Sequence, residues 1–181
     1  RLGVTMTYRS FVTALIAAGF FAAGEGFDWP LLSQLGAALA LVFVFAYLWS
    51  RLNIARLSAR RELDNRALQV GSVFSEHLSV RSKALLPKLW VELRDRCEMP
   101  AHDASRVFGL RSRGTLSWET QSIAVRRGVY RMGPILLRSS DPFAIFSHER
   151  RVDFDEEVTV FPPVFDLKRF QLPGAQSSGG P

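Results

Sequence analysis

The sequence predicts a membrane α-hairpin of two transmembrane helices followed by an all-β domain, an antiparallel, immunoglobulin-like β-sandwich of about seven strands. Three observations predict it. Trp29 to Ser50, WPLLSQLGAALALVFVFAYLWS, contains no charged residue. Ser10 to Gly24, SFVTALIAAGFFAAG, is a second uncharged run just upstream. From Asn53 onward, short segments alternate apolar and polar residues between turn residues, the pattern of strands buried on one face.

The longer run decides the first part. At 1.5 Å of rise per residue, about 20 uncharged residues match a hydrocarbon core of roughly 30 Å. The shorter run becomes long enough if its helix begins near Thr5, with Arg9 reaching the headgroups. Its basic start and small residues Ala22, Ala23 and Gly24 also fit a signal peptide. The second apolar run that follows at once favours a span. Glu25 to Trp29 forms the turn, with Phe27 and Trp29 suited to a membrane interface and Pro30 to the first helical turn. The acidic turn lies on one side, and Arg1, Arg9, Arg51, Arg56, Arg60 and Arg61 on the other. The positive-inside rule then places both chain ends in the cytoplasm, at the inner (plasma) membrane. Gly19, Ala23, Gly36, Ala37, Ala38 and Ala40 are small enough for close helix contact. Neither span has an interior ionisable residue, so a proton relay, an ion path and a haem pair are not expected.

The domain boundaries follow: residues 1–52 for the hairpin, with spans at about 6–24 and 30–50, residues 53–165 for the sandwich, and 166–181 for a linker or tail. In Val73 to Arg81, Phe74, Leu78 and Val80 share a face. In Lys88 to Cys97, Leu89, Val91 and Leu93 share a face, with Trp90, Glu92, Arg94 and Arg96 opposite. In Thr115 to Arg127 the apolar face changes parity between Trp118 and Ile123, which predicts a bulge or a misread strand end. Gly128 to Arg138 and Glu157 to Phe161 supply further strands. Gln171 to Pro181, rich in Gly, Ser and Pro, predicts a flexible linker with something beyond it. The chain begins at Arg1, and residues ahead of it are expected.

The net charge of +6 raises nucleic acid as a partner, but the arginines form no single block, and lipid headgroups account for those after the second span. One cysteine, Cys97, allows no internal disulfide and fits a reducing compartment. It ends an alternating strand without a visible base, so it is expected to be structural. His77, His102 and His148 have no metal-ligand spacing, and neither a metal nor another cofactor is expected. The acidic DFDEE run at Asp153 to Glu157 lacks the glycine and length of a calcium loop. No nucleophile–base pair, phosphate loop or dinucleotide loop is visible, so no catalytic residue is assigned and the chain is expected not to be an enzyme.

The most specific segment is Arg126 to Phe146, RRGVYRMGPILLRSSDPFAIF. Its chemistry is a strand, a Gly-Pro kink, a second strand and a turn begun by Asp141-Pro142, whose carboxylate accepts backbone N–H groups. Phe143, Ile145 and Phe146 are then expected to pack under the sheet. Arg127, Gly128, Tyr130, Gly133, Pro134, Asp141, Pro142, Phe143 and Phe146 match the signature of the family called domain of unknown function 58, which the chain resembles along nearly its whole length. Val158 to Pro162 resembles a further strand of that family, with Phe161 for a tyrosine. Ala144 and Ile145 stand where the family has Gly-Leu. The resemblance implies two N-terminal spans, a β-rich domain and a following von Willebrand A-like domain. It also implies a MoxR-type AAA+ ATPase as partner, and it carries no catalytic residues. The expected function is a membrane-anchored, non-catalytic scaffold or adaptor acting in complex assembly. The alternative is an accessory subunit of a large membrane complex.

Overall fold

A computed structural model describes residues 2–6 and 8–164. The expected linker at 166–181 lies outside them. The helices come first. α1 (Tyr8–Gly26) and α2 (Pro30–Ile54) are joined by a tight turn and run antiparallel. Pro30 sits in the first turn of α2, as its missing N–H allows. Among the described residues, α2 is the one helix long and apolar enough to cross a membrane.

Two features here go beyond the expected spans. α1 begins at Tyr8, close to the expected start at about residue 6, and is preceded by a strand. That strand, β1, is Leu2–Met6, with the β-branched pair Val4-Thr5 at its centre. The second helix does not stop at Ser50. It runs on to Ile54, whose side chain is 0% exposed within the β core. A helix that ends inside the next domain cannot swivel freely against it.

Of the glycines expected at the helix contact, Gly36 makes it and Gly19 does not, while Gly24 joins it. A Cβ on Gly36 would lie 2.6 Å from the backbone nitrogen of Phe21, and one on Gly24 only 2.3 Å from that of Ser33. These are the positions where backbones touch. Gly19 has nothing within 4 Å of such an atom, so it has no part in the contact.

The remaining strands are β2 (Leu57–Leu63), β3 (Ala67–Gln69), β4 (Val73–Ser82), β5 (Lys88–Asp95), β6 (Arg106–Leu110), β7 (Thr115–Ile123), β8 (Gly128–Arg131), β9 (Ile135–Ser140), β10 (Phe146–Val152) and β11 (Glu157–Phe161). They form sheets in the orders β1-β10-β9-β5-β6, β2-β4-β7 and β3-β11-β8. The expected seven or so strands after Ile54 therefore fall short of the ten, β2 to β11, among the described residues there. Pairing is antiparallel except between β3 and β11, which are parallel. The first two sheets close face to face on one core. Leu57, Leu78 and Val80 come from one side, Val91, Leu93, Phe108, Ile135 and Leu137 from the other, and Ile54 plugs its end. Leu68, Phe74, Met99, Met132, Val158 and Val160 form a second cluster beneath the small sheet.

The alternation in β4 holds as expected: Phe74, Leu78 and Val80 are all buried on its inner face. In β5 and β7 it does not. The irregularity lies in β5, where Trp90 takes a φ of +51° and the register against β6 shifts between Lys88 and Val91. Two residues then oppose one, and parity reverses. Lys88 becomes buried and Leu89 turns outward, 43% exposed. In β7 the pairing with β4 runs unbroken from Val73↔Ile123 to Arg81↔Thr115. There is no bulge, and the alternative of a misread end fits: Ser122 and Ala124 face inward, and Ile123 and Val125 lie outside.

Candidate functional site

Two polar constellations lie at opposite ends of β9. The first is a buried charge cluster formed by Arg61 of β2, Glu76 of β4, Asp95 at the end of β5 and His102 in the following loop. All four side chains are 0–1% exposed. Arg61 Nε donates to Glu76 Oε1 at 2.9 Å, and its Nη2 donates to Asp95 Oδ2 at 2.5 Å. His102 Nε2 lies 2.9 Å from Glu76 Oε2 and 3.2 Å from Asp95 Oδ2, shared between two carboxylates and straight toward neither. Its Nδ1 is 2.9 Å from Ser122 Oγ, and its ring stacks on Phe74.

Burial alone would push the His102 imidazolium toward losing its proton. Asp95 and Glu76 more than reverse this and hold it up at about 9. Burial likewise works against the Asp95 carboxylate, but His102 and Arg61 keep it below the usual range. Two cations thus balance two anions. Ligand atoms of Glu76, Asp95 and His102 lie within 4.8 Å of one another, a spacing a metal ion could use. Arg61 already takes an oxygen of each carboxylate, so the guanidinium occupies the place of the cation. Phe154 covers Arg61, with the guanidinium 5.8 Å from the ring centroid. Gly133 lies beside this cover with a φ of +128°, a conformation that favours glycine. No substrate reaches groups enclosed in this way.

A pH profile follows from the sign of the His102 shift. The folded value, about 9, lies above the unperturbed 6.5. The stabilisation is therefore complete below 6.5 and is lost as pH rises through about 9, where one carboxylate loses its partner charge. Thermal melts are expected to fall by several degrees across that interval, and His102→Gln should flatten the profile. An equally steep fall in the variant would assign the effect to other groups.

The second constellation welds α2 to the sheet. Asn53 Nδ2 donates to the Leu89 carbonyl, and the Leu89 N–H returns a bond to Asn53 Oδ1 at 3.0 Å. Asn53 Nδ2 also reaches Ser139 Oγ at 2.6 Å. Lys88 Nζ donates to the Leu52 carbonyl, in the last turn of α2, where a helix favours positive charge. Burial and the nearby Arg56 lower the Lys88 pKa. Ser50 Oγ is 2.9 Å from His148 Nδ1, and His148 is held down by burial and then by Arg51. Phe146 completes the joint, edge-on to Phe43 at 4.8 Å and to Tyr47 at 5.4 Å.

The residues singled out from the sequence fall into three groups. Arg127, Gly128 and Tyr130 build a corner. The Tyr130 hydroxyl bonds back to the carbonyls of Arg126 and Arg127, at 3.1 and 3.4 Å, and its ring lies 3.1 Å from where a Gly128 Cβ would stand. Gly133 and Pro134 border the charge cluster, joined by a cis peptide bond. Asp141, Pro142, Phe143 and Phe146 form the loop at the helix joint. Asp141 is buried and accepts N–H groups from Phe143 at 2.8 Å and Phe146 at 2.6 Å, as its position before proline implies. Phe143 does not pack under the sheet. It is 55% exposed, because the turn carries it outward while Ile145 and Phe146 turn in.

Ala144 closes that turn with a φ of +54°. A left-handed alanine costs about 1–2 kcal/mol, part of which glycine would give back as extra freedom of the unfolded chain. Ala144→Gly is therefore expected to stabilise the fold by about 0.5–1 kcal/mol. A denaturant midpoint that drops instead would refute this account of the turn.

Cys97 behaves as expected for a packed thiol. Its sulfur touches Met132 Sδ at 3.4 Å, and burial pushes the thiol up to about 11. His77 lies apart from the cluster. Periodicity does not reveal Arg61, Glu76, Asp95 and His102, which sit far apart in sequence. The one signal was Glu76, in phase with Phe74, Leu78 and Val80 on the core face of β4.

By architecture, then, this is a β-rich protein with a long apolar helix fused into its core. No protein-family model matches the sequence, and no curated protein matches it. Similar solved structures include the CARDB domain of PF1109 from Pyrococcus furiosus, at 10% identity and a TM-score of 0.42 over 58% of this chain and 87% of that one. The C-terminal domain of wzt is similar at 8% identity and 0.43, over 65% and 83% of the two chains. The alkylpurine DNA glycosylase AlkC of Pseudomonas fluorescens is similar at 12% and 0.38, over 77% and 41%.

Proposed function

We propose that this protein is a membrane-anchored, non-catalytic scaffold whose helix pair crosses the bilayer twice and holds an immunoglobulin-like β domain on the cytoplasmic side. The observation that carries this reading is the surface of the helices. Phe11, Leu15, Leu31, Leu41 and Phe45 are all at least half exposed, an apolar coat that water does not tolerate and lipid does. The rigid joint at Asn53, Ile54 and Phe146 supports it further, since a fixed domain presents one face to a partner at a set angle. The partner expected from the resemblance to domain of unknown function 58 is a MoxR-type AAA+ ATPase.

The test is membrane extraction followed by proteolysis. The chain should stay with the membrane pellet in alkaline carbonate. Protease added outside right-side-out vesicles should leave the β domain intact, and cleavage there would overturn the cytoplasmic placement. Release by carbonate would overturn the anchor itself. A second reading, an accessory subunit of a larger membrane complex, is favoured by one feature. An open apolar groove of about 740 Å³ runs between the helices, lined by Ala14, Ala17, Phe21, Ala37 and Val44 among others. A further helix of another subunit fits such a groove. Native gel migration of the solubilised membrane separates the two readings, because only the second requires fixed stoichiometry with other membrane subunits.

A further inference from the structure

The basic residues after α2 do not share one fate. Arg61 is buried in the charge cluster, and Arg60 pairs with Glu62. Arg56 is different. It is exposed, and it takes a φ of +58° just past the end of α2, a conformation that favours glycine. Its carbonyl accepts the N–H of Lys83 at 3.0 Å, which brings the two residues together. Arg150 of β10 reaches the same place, where its Nη1 donates to the Leu57 carbonyl at 2.8 Å. Arg56, Lys83 and Arg150 together with Leu57 and Ser58 line a pocket of about 390 Å³. No acidic residue lines it, and none of its three cations is in an ion pair among the described residues. The adjacent Glu149 is not among the residues that line it.

The pocket's location narrows its ligand. The loop after Lys83 exposes Leu85 and Leu86, at 67% and 60%. Leu86 shares a small cavity with Trp49 and Leu52 of α2, so this loop lies at the depth of the helix's last turns. Two exposed leucines at the level of an interfacial tryptophan, beside three unpaired cations, match the boundary between acyl chains and headgroups.

We propose that Arg56, Lys83 and Arg150 bind a phosphate group, that of an acidic phospholipid in the leaflet next to the β domain. The lipid source rests on the anchor reading above, whereas the phosphate chemistry does not. Two guanidinium groups and an ammonium supply charge-assisted donors to the phosphate oxygens. Leu85 and Leu86 lie against the start of its acyl chains.

The test uses the full chain in detergent micelles, titrated separately with short-chain phosphatidylglycerol, short-chain phosphatidylcholine and inorganic phosphate. Melting temperature is the readout. Phosphatidylglycerol is expected to raise it saturably, with no rise from phosphatidylcholine. An equal rise with inorganic phosphate supports the phosphate site and overturns its assignment to lipid. No rise with either anion overturns the proposal. Arg56→Gln and Lys83→Gln, both at exposed side chains, should each weaken half-saturation about fivefold. Arg150→Lys keeps the charge and should preserve binding. Arg126→Gln with Arg127→Gln removes two exposed cations at the far end of the domain and should change nothing. An equal loss there would reveal diffuse charge attraction in place of a site. Carbonate extraction reads the anchor independently: a chain released by carbonate that still responds to phosphatidylglycerol loses the anchor and keeps the site.

Discussion

Arg61→Met is expected to destabilise the β domain by about 3–5 kcal/mol, the usual cost of removing one partner from a buried ion network. The methionine keeps most of the side-chain volume, so the loss reports charge more than packing. Glu76 and Asp95 would be left with His102 alone, two anions against one cation in a region their side chains share with almost no water. A domain with a total stability of about 5–15 kcal/mol would lose a large share of it. The control is the neighbouring residue. Arg60 is exposed and pairs with an exposed Glu62, so Arg60→Met should change stability by under about 1 kcal/mol. Denaturant midpoints of the two variants check the contrast. Adding Glu76→Gln and Asp95→Asn to Arg61→Met should recover part of the loss, because the stranded carboxylates are then gone. If Arg61→Met and Arg60→Met unfold together, the cluster does not hold the sheets.

Gly36→Leu is expected to have the largest effect on the helices. Its Cβ alone would lie 2.6 Å from the Phe21 nitrogen and 2.9 Å from its Cα, contacts with backbone that no rotamer relieves. The helices must separate or slide. Overpacking in a core costs about 1–3 kcal/mol, and a clash with backbone belongs at the upper end of that range. Gly19→Leu adds the same side chain where nothing lies within 4 Å, and it should leave the pair intact. Melts of the full chain in micelles, followed by circular dichroism, check both. Equal behaviour of the two variants would sink the account of the contact. The effect should extend to the sheet, since α1 begins directly after β1, which pairs with β10 along the sheet edge.

These two predictions rest on features of different legibility. Glycine is visible as a small residue, but Gly19, Gly24 and Gly36 look alike until the crossing point is known. Arg61 was visible only as one more basic residue after an apolar run. Charge in a sequence argues for exposure because burying an ion is costly. The argument fails where distant partners supply the compensation, as Glu76, Asp95 and His102 do here. Leu89, expected on the inner face, lies outside for a related reason. A single residue with positive φ, Trp90, reversed the parity of the strand beside it and drew Lys88 inward to the last turn of α2. No periodicity records a bulge in advance, and β7, where parity allowed one, has none. Phe143 shows the same limit, since hydrophobicity alone placed under the sheet a side chain that the turn carries outward.

By itself the sequence determined what short-range chemistry dictates. An uncharged run of this length makes α2 an apolar helix, Pro30 starts it, alternation makes β4 a one-sided strand, and Asp141 before proline makes a turn that its own carboxylate closes. Only the tertiary structure decided that α2 continues to Ile54 and ends in the β core, that residues 2–6 ahead of the first helix become a sheet edge, and that Arg61 belongs to the interior while Arg56 faces the helix foot. Each of those outcomes depends on pairing between residues far apart along the chain, and no local pattern encodes such partners.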